Sequence, residues 1–237
     1  MKNKIIRADE RGNKDSGWLK SKFILSFSNY VNPELSAFGT LFAFNDDLLS
    51  VGKGFGMHPH VNMEIISVLL KGKMNHKDSM DQNNIIGKGG VQIMSSGSGL
   101  FHEEYNVGDE EVNILQIWIY PKLQNVKPRY QYRSFPNENR FNKLQTIVSS
   151  EEGQEHCWIN QNAKLSLGYF DAGNVVDYRF NPVNKCLFIY CIEGTIHVGE
   201  NKLDARDGIG VWETDECQIT IQSKAEFLII ETPVNQK

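Results

Sequence analysis

The sequence predicts an all-β protein built as two consecutive halves. Three observations carry that expectation. Short segments rich in β-branched and aromatic residues recur along the chain, turn residues punctuate them, and no apolar stripe of helical period runs beyond about a dozen residues. In order, the strand candidates are residues 38–44 (FGTLFAF), 64–70 (EIISVLL), 91–95, 112–119 (VNILQIWI), 186–192 (CLFIYCI) and 227–231. Gly52, Gly54, Gly56, Gly72, Gly89, Gly90, Gly97, Gly99 and Gly108 supply turns in the first half. Residues 193–200 (EGTIHVGE) read as strand, tight turn, strand, and Asp207-Gly208 opens a further run. Residues 133–140 (RSFPNENR) are polar, contain Pro136 and show no periodicity, so they form the linker. The halves then span 1–132 and 141–237. Short strands at regular spacing pack as a sandwich or barrel.

Composition narrows the function. With 237 residues and 40% hydrophobic content, the chain can bury a sizeable core and is not a disordered polymer. Its 25 basic and 29 acidic residues give a net charge of −4, and no long Lys/Arg cluster is present. Direct nucleic-acid binding relies on such clusters and is not expected. No apolar run approaches the roughly 18 residues of a membrane-spanning helix. The first seven residues carry Lys2 and Lys4 with no hydrophobic block behind them, so no secretory signal is expected. Cys157, Cys186, Cys191 and Cys217 all lie in the second half, none in a Cys-x-x-Cys pair. That spacing excludes zinc-ribbon and thioredoxin readings and fits reduced, buried thiols in a cytoplasmic protein. A monomer is the default expectation.

Two pairs of residues carry the chemistry. His58 and His60 share one face of a strand, with Cα atoms about 6.6 Å apart, so both imidazoles can reach one cation. His102 and Glu104 share a face in the same way, while Glu103 points to the other side. Brought together, the two pairs offer three imidazoles and one carboxylate. Two octahedral positions then remain for water, substrate or dioxygen, and such openness marks a catalytic site. Glu64 shares parity with His60, but four residues of straight strand span about 13 Å. It is therefore an alternative ligand or a partner to the ligands, reached only if the chain bends after His60. His76 reads as a loop residue or a hydrogen-bonded histidine, and His156 and His197 as structural. The second half has no His-x-His pair, so no second metal is expected there.

Several segments in order then resemble the pirin family of bicupins. They are residues 7–12 (RADERG), Gly17-Trp18-Leu19, His58-Pro59-His60 with Met63-Glu64-Ile65, His76-x-Asp78-Ser79-Met80, residues 91–106 from Val91-Gln92 to Glu104-x-Asn106, and residues 115–119 (LQIWI). The likeness is densest over 7–121 and looser in the second half. It implies a bicupin, two consecutive jelly-roll-like β-barrels, with one metal in the N-terminal barrel and a degenerate C-terminal cupin. It assigns the metal to His58, His60, His102 and Glu104, and sets Phe55 and Gln116 beside it. Bacterial members of this kind resemble quercetin 2,3-dioxygenases, which open a flavonol ring with O₂ and release CO. Other members act as redox-sensing transcriptional cofactors, the alternative non-enzymatic reading.

The expected cofactor is a divalent transition metal, Fe(II) foremost, with Zn, Mn, Co, Ni or Cu accepted by the same donors. A substrate hydroxyl coordinated to it would become more acidic, and Glu104 is the candidate catalytic base. Phe55 and Met57 are expected as apolar pocket walls. Two departures from the resemblance stand out. Phe23 occupies a position where relatives carry histidine, and Glu103 replaces a small residue next to His102, adding a carboxylate close to the site that leaves pocket polarity and substrate preference open.

Overall fold

The structure is a computed structural model and describes residues 1–234. The described residues form β-strands and two short 3-10 turns, Pro33–Leu35 and Asn137–Arg140, with no α-helix among them. The first half builds a seven-stranded sheet in the order Arg129–Ser134, Gly90–Ser95, Glu64–Lys71, Val112–Ile119, Leu41–Leu49, Leu19–Phe23, Gly12–Asp15. Facing it is a four-stranded sheet in the order Gly54–His60, Leu100–Asn106, Lys73–Asp78, Asn83–Gly87. Met74 and Ile86 of the small sheet pack on Leu49, Leu69 and Ile114 of the large one. The second half repeats the plan with its own seven- and four-stranded sheets. Each half is thus two open sheets face to face, jelly-roll-like rather than a closed barrel.

The two large sheets pack back to back. Phe44, Ile66 and Ile117 from one join Leu165, Phe188 and Leu228 from the other in a single apolar core. Strands buried on both faces read as continuous hydrophobic runs, which is why 64–70 and 186–192 are so apolar. The chain also crosses between halves at its start. Lys2–Ile6 pairs with Gly208–Trp212 in the second large sheet. The stretch 133–140 holds the end of the Arg129–Ser134 strand and the Asn137–Arg140 turn.

The interiors of the two halves differ in chemistry. Between its sheets, the second half is filled with aliphatic side chains such as Leu187, Ile189, Ile196, Ile219 and Ile229. The first half buries Ser21, Asn45, Asp47, Ser67, Gln92 and Glu104. Both clusters of closely spaced His and carboxylate donors among the described residues lie in that first half.

The Leu41–Leu49 strand begins and ends later than 38–44. Gly39 turns with φ +58°, and a Cβ there would meet Thr232 Oγ1 at 2.5 Å. The strand then runs through Asn45-Asp46-Asp47, residues of low strand propensity, because tertiary partners override it. Asp46 lies at the seam between the halves, paired with Arg11 at 3.0 Å and Arg206 at 3.1 Å. Tyr190 (2.9 Å) and Asn113 (2.8 Å) also donate to it. Burial pushes its pKa up, but Arg206, Asn113 and Arg11 together hold the carboxyl below its ordinary value. Removing the acid leaves two guanidinium groups facing each other at the seam. Asp46→Ala is therefore expected to cost about 3–5 kcal/mol in urea denaturation.

Candidate metal centre

Three neighbouring strands of the small sheet each present an inward pair at spacing i, i+2. Gly54–His60 gives His58 and His60, Leu100–Asn106 gives His102 and Glu104, and Lys73–Asp78 gives His76 and Asp78. The middle strand alternates cleanly, with Leu100, His102, Glu104 and Asn106 buried and Phe101 and Tyr105 exposed. Its register sets His102 opposite His58 on one side and Asp78 on the other.

A β-bulge shapes the first strand. His102 pairs with His58 and Glu104 with Phe55, so two steps on one strand oppose three on the other. One extra residue reverses the alternation. Phe55 therefore joins the face of His58 and His60, and Met57 turns outward, 49% exposed. Close strand approach at the bulge requires glycine at position 54, where a Cβ would lie 2.0 Å from the Glu104 carbonyl oxygen.

The imidazoles of His58, His60 and His102 converge. Their ring centroids are 4.4–5.0 Å apart, and one nitrogen from each lies within 4.8 Å of the others. His58 Nδ1 is 2.7 Å from the Gly56 carbonyl oxygen. That oxygen can only accept, so Nδ1 carries the proton and Nε2 keeps its lone pair. His102 is buried, and neither ring nitrogen has a partner in the protein. Burial pushes its pKa down to about 2, and that of His60 down to about 4, with neighbouring imidazoles adding to the effect. Converging imidazoles, His60 and His102 kept neutral mainly by burial and His102 without any protein partner, are the donor set a divalent transition metal takes.

Glu104 lies in a second, overlapping group with His102 and His76, again within 4.8 Å. The Gln92 amide donates to Glu104 Oε1, and Gln116 donates to Oε2 at 3.4 Å. Gln92 is held in turn by the Tyr130 hydroxyl at 3.1 Å. Burial pushes the Glu104 carboxyl up to about 7.

The remaining sequence expectations fall in different places. Glu64 is not brought to the site. It is fully buried, accepting from Ser95 Oγ at 2.6 Å and Asn160 N at 3.1 Å. Gln116 and Phe55 line the cavity beside the imidazoles; Met57 does not. Glu103 pairs in register with Lys77 on the outer side and adds no charge to the cavity. Phe23 lines the cavity, where it packs on Phe27 at 5.5 Å.

His76 is a strand residue rather than a loop one. It is buried, bonded to Asp78 at 3.1 Å and stacked on Tyr130 at 4.2 Å. The signal for it was present, since His76-x-Asp78 has the same alternate spacing as the two ligand pairs. Asn45, Asp47 and Trp118 also line the cavity and had no motif to mark them. The cavity measures about 220 Å³. That is below the roughly 300–1,000 Å³ usual for drug-sized ligands, so it encloses part of a flavonol-sized molecule.

Two stacked jelly-roll-like halves, with converging histidines in the first and an apolar interior in the second, define a bicupin whose candidate metal donors, among the described residues, lie in the first half. The chain belongs to the pirin family. The pirin family model matches residues 6–119, and that of the quercetinase C-terminal cupin domain matches 146–232. The chain is 31% identical over 230 residues to quercetin 2,3-dioxygenase of Escherichia coli, covering 97% of this chain and 98% of that protein. It is 33% identical over 224 residues to a pirin-like protein of Caulobacter vibrioides, covering 94% and 96%. The crystal structure of bacterial pirin YhhW from Escherichia coli in complex with nickel(II) superposes with a TM-score of 0.93. That structure is 30% identical and covers 99% of this chain and 100% of its own.

Proposed function

We propose that the protein is a metal-dependent dioxygenase that cleaves a flavonol such as quercetin with O₂ and releases CO. One observation carries the reading: three imidazoles converge on an aromatic-lined cavity, and both nitrogens of His102 lack any protein partner. His58, His60 and His102, with Glu104, would hold a divalent metal, iron foremost. Relatives named for this activity and a relative that takes nickel(II) support the assignment. Bound there, the metal would acidify a coordinated substrate hydroxyl.

The chain's own residues supply the rest. Glu104, whose carboxyl burial pushes up to about 7 before metal binds and whose oxygens accept from Gln92 and Gln116, is the group that would receive the hydroxyl proton. Phe23, Phe27, Phe55 and Trp118 give flat apolar surfaces that exclude water and hold an aromatic ring. Four unpaired, buried cysteines suit a reducing compartment such as the cytoplasm. No helix among the described residues is long and apolar enough to cross a membrane.

The test is quercetin consumption under O₂ by protein loaded with Fe(II), followed at the flavonol absorbance band with CO measured in the headspace. Substrate loss above a His58→Ala/His60→Ala control, with CO evolved, is the expected result. Loss no faster than that control would remove the flavonol reading.

A further inference from the structure

Two polar side chains in the cavity take no part in the chemistry above. Asn45 and Asp47 alternate on the Leu41–Leu49 strand and both line the cavity. They are 3% exposed, and Oδ1 of each has no hydrogen-bond partner in the protein. Leaving a buried acceptor unpaired costs about 1–3 kcal/mol. The Ser21 hydroxyl, also in the lining, serves the Asp47 carboxyl and still leaves Oδ1 open, while the amides nearby are engaged elsewhere. Gln116, opposite Asn45 in register, gives its amide to Glu104. The Gln92 amide is shared between Ser67 and Glu104. The same sandwich interior in the second half is filled by aliphatic side chains, so the fold itself does not require polar residues there. Around the pair stand aromatic side chains, Phe23, Phe55 and Trp118 among them. The lining thus combines ring-stacking surface with two buried oxygens, Oδ1 of Asn45 and Oδ1 of Asp47, that have no partner.

We propose that Asn45 and Asp47 form a hydroxyl-recognition pair, accepting hydrogen bonds from hydroxyl groups on an aromatic substrate seated in the cavity. The inference rests on the aromatic-substrate reading and deepens it, because it selects polyhydroxylated rings over their deoxy or O-methylated counterparts. The physical basis is asymmetric. A ring bearing the hydroxyls satisfies both acceptors, whereas one lacking them desolvates the acceptors and leaves them unpaired.

Calorimetric titration of the full chain tests the pair with probes that do not depend on flavonol chemistry. Resorcinol carries two hydroxyls too far apart to chelate a metal, and 1,3-dimethoxybenzene is its donor-free counterpart. Wild-type protein is expected to prefer resorcinol about tenfold or more. Asp47→Leu and Asn45→Leu should each shrink that preference, and the double variant should bring it within about twofold. Asp47→Asn keeps an acceptor and should retain most of it. Quercetin and 3-hydroxyflavone form a second matched pair on the same proteins. An absent preference in the wild type overturns the proposal whether or not the leucine variants fold. A preference surviving in the folded double variant overturns it equally. If quercetin is neither bound nor consumed while the resorcinol preference stands, the flavonol reading fails and the pair survives. If quercetin is consumed but Asp47→Leu leaves the quercetin to 3-hydroxyflavone ratio intact, the pair fails and the flavonol reading survives.

Discussion

Glu104→Gln is expected to slow quercetin turnover about 10²–10⁴-fold, the range a positioned general base contributes. The substitution is isosteric and removes the group proposed to receive the substrate proton. Its structural cost should be small. Glu104 is 1% exposed and takes hydrogen bonds from Gln92 and Gln116, so a glutamine that offers its carbonyl oxygen to Gln92 keeps the stronger contact. Burial already disfavours the ionised carboxylate, which is why its pKa rises to about 7. The neutral amide avoids that penalty, so the metal-free variant should melt within a few degrees of wild type or above it. A variant that loses turnover and also unfolds would make Glu104 a structural residue. A variant with near wild-type turnover would move the base elsewhere in the cavity, with Asp47 the next carboxyl to replace.

What the sequence revealed follows from how regular each strand is. His102 and Glu104 lie on a strand that alternates without interruption, so parity alone placed them on one face. His58 and His60 sit on the regular end of their strand, before the bulge is met going back toward Gly54. Phe55 and Met57 are both expected as pocket walls without an argument for their facing; they straddle that bulge, and a period of two cannot anticipate the inserted residue that turns Phe55 inward and leaves Met57 outside. Glu64 shares the parity of His60 in the chain but begins a different sheet after a turn, and strand phase does not carry across a turn. The polar run Asn45-Asp46-Asp47 resembles a turn because its reasons for being strand are remote in sequence: Arg206 and Tyr190 for Asp46, the cavity for its two neighbours. The crossing of Lys2–Ile6 into the second large sheet is equally remote, since its partner strand starts at Gly208. Local pattern reports faces within one strand, and what pairs two strands two hundred residues apart is legible only once they are folded.

The same electrostatics predicts how metal affinity depends on pH. A metal must displace any proton held by its ligands. His60 and His102, pushed down to about 4 and about 2 mainly by burial, stay neutral through mild acid and offer the metal no proton to displace. Glu104 behaves oppositely. Its folded-state pKa of about 7 lies above its ordinary value, so below pH 7 the folded, metal-free site carries a protonated carboxyl. The Glu104 proton alone should then weaken apparent affinity by about tenfold for each pH unit well below 7, roughly 50-fold between pH 7 and pH 5. Competition against a fluorescent chelator, with Ni(II) as the probe, measures it. Glu104→Gln should bind more weakly at pH 7 and show a slope one proton shallower than wild type between pH 5 and pH 7. A slope unchanged by Glu104→Gln would instead mean that the carboxyl is already ionised in the metal-free protein and that its desolvation is weaker than its burial implies.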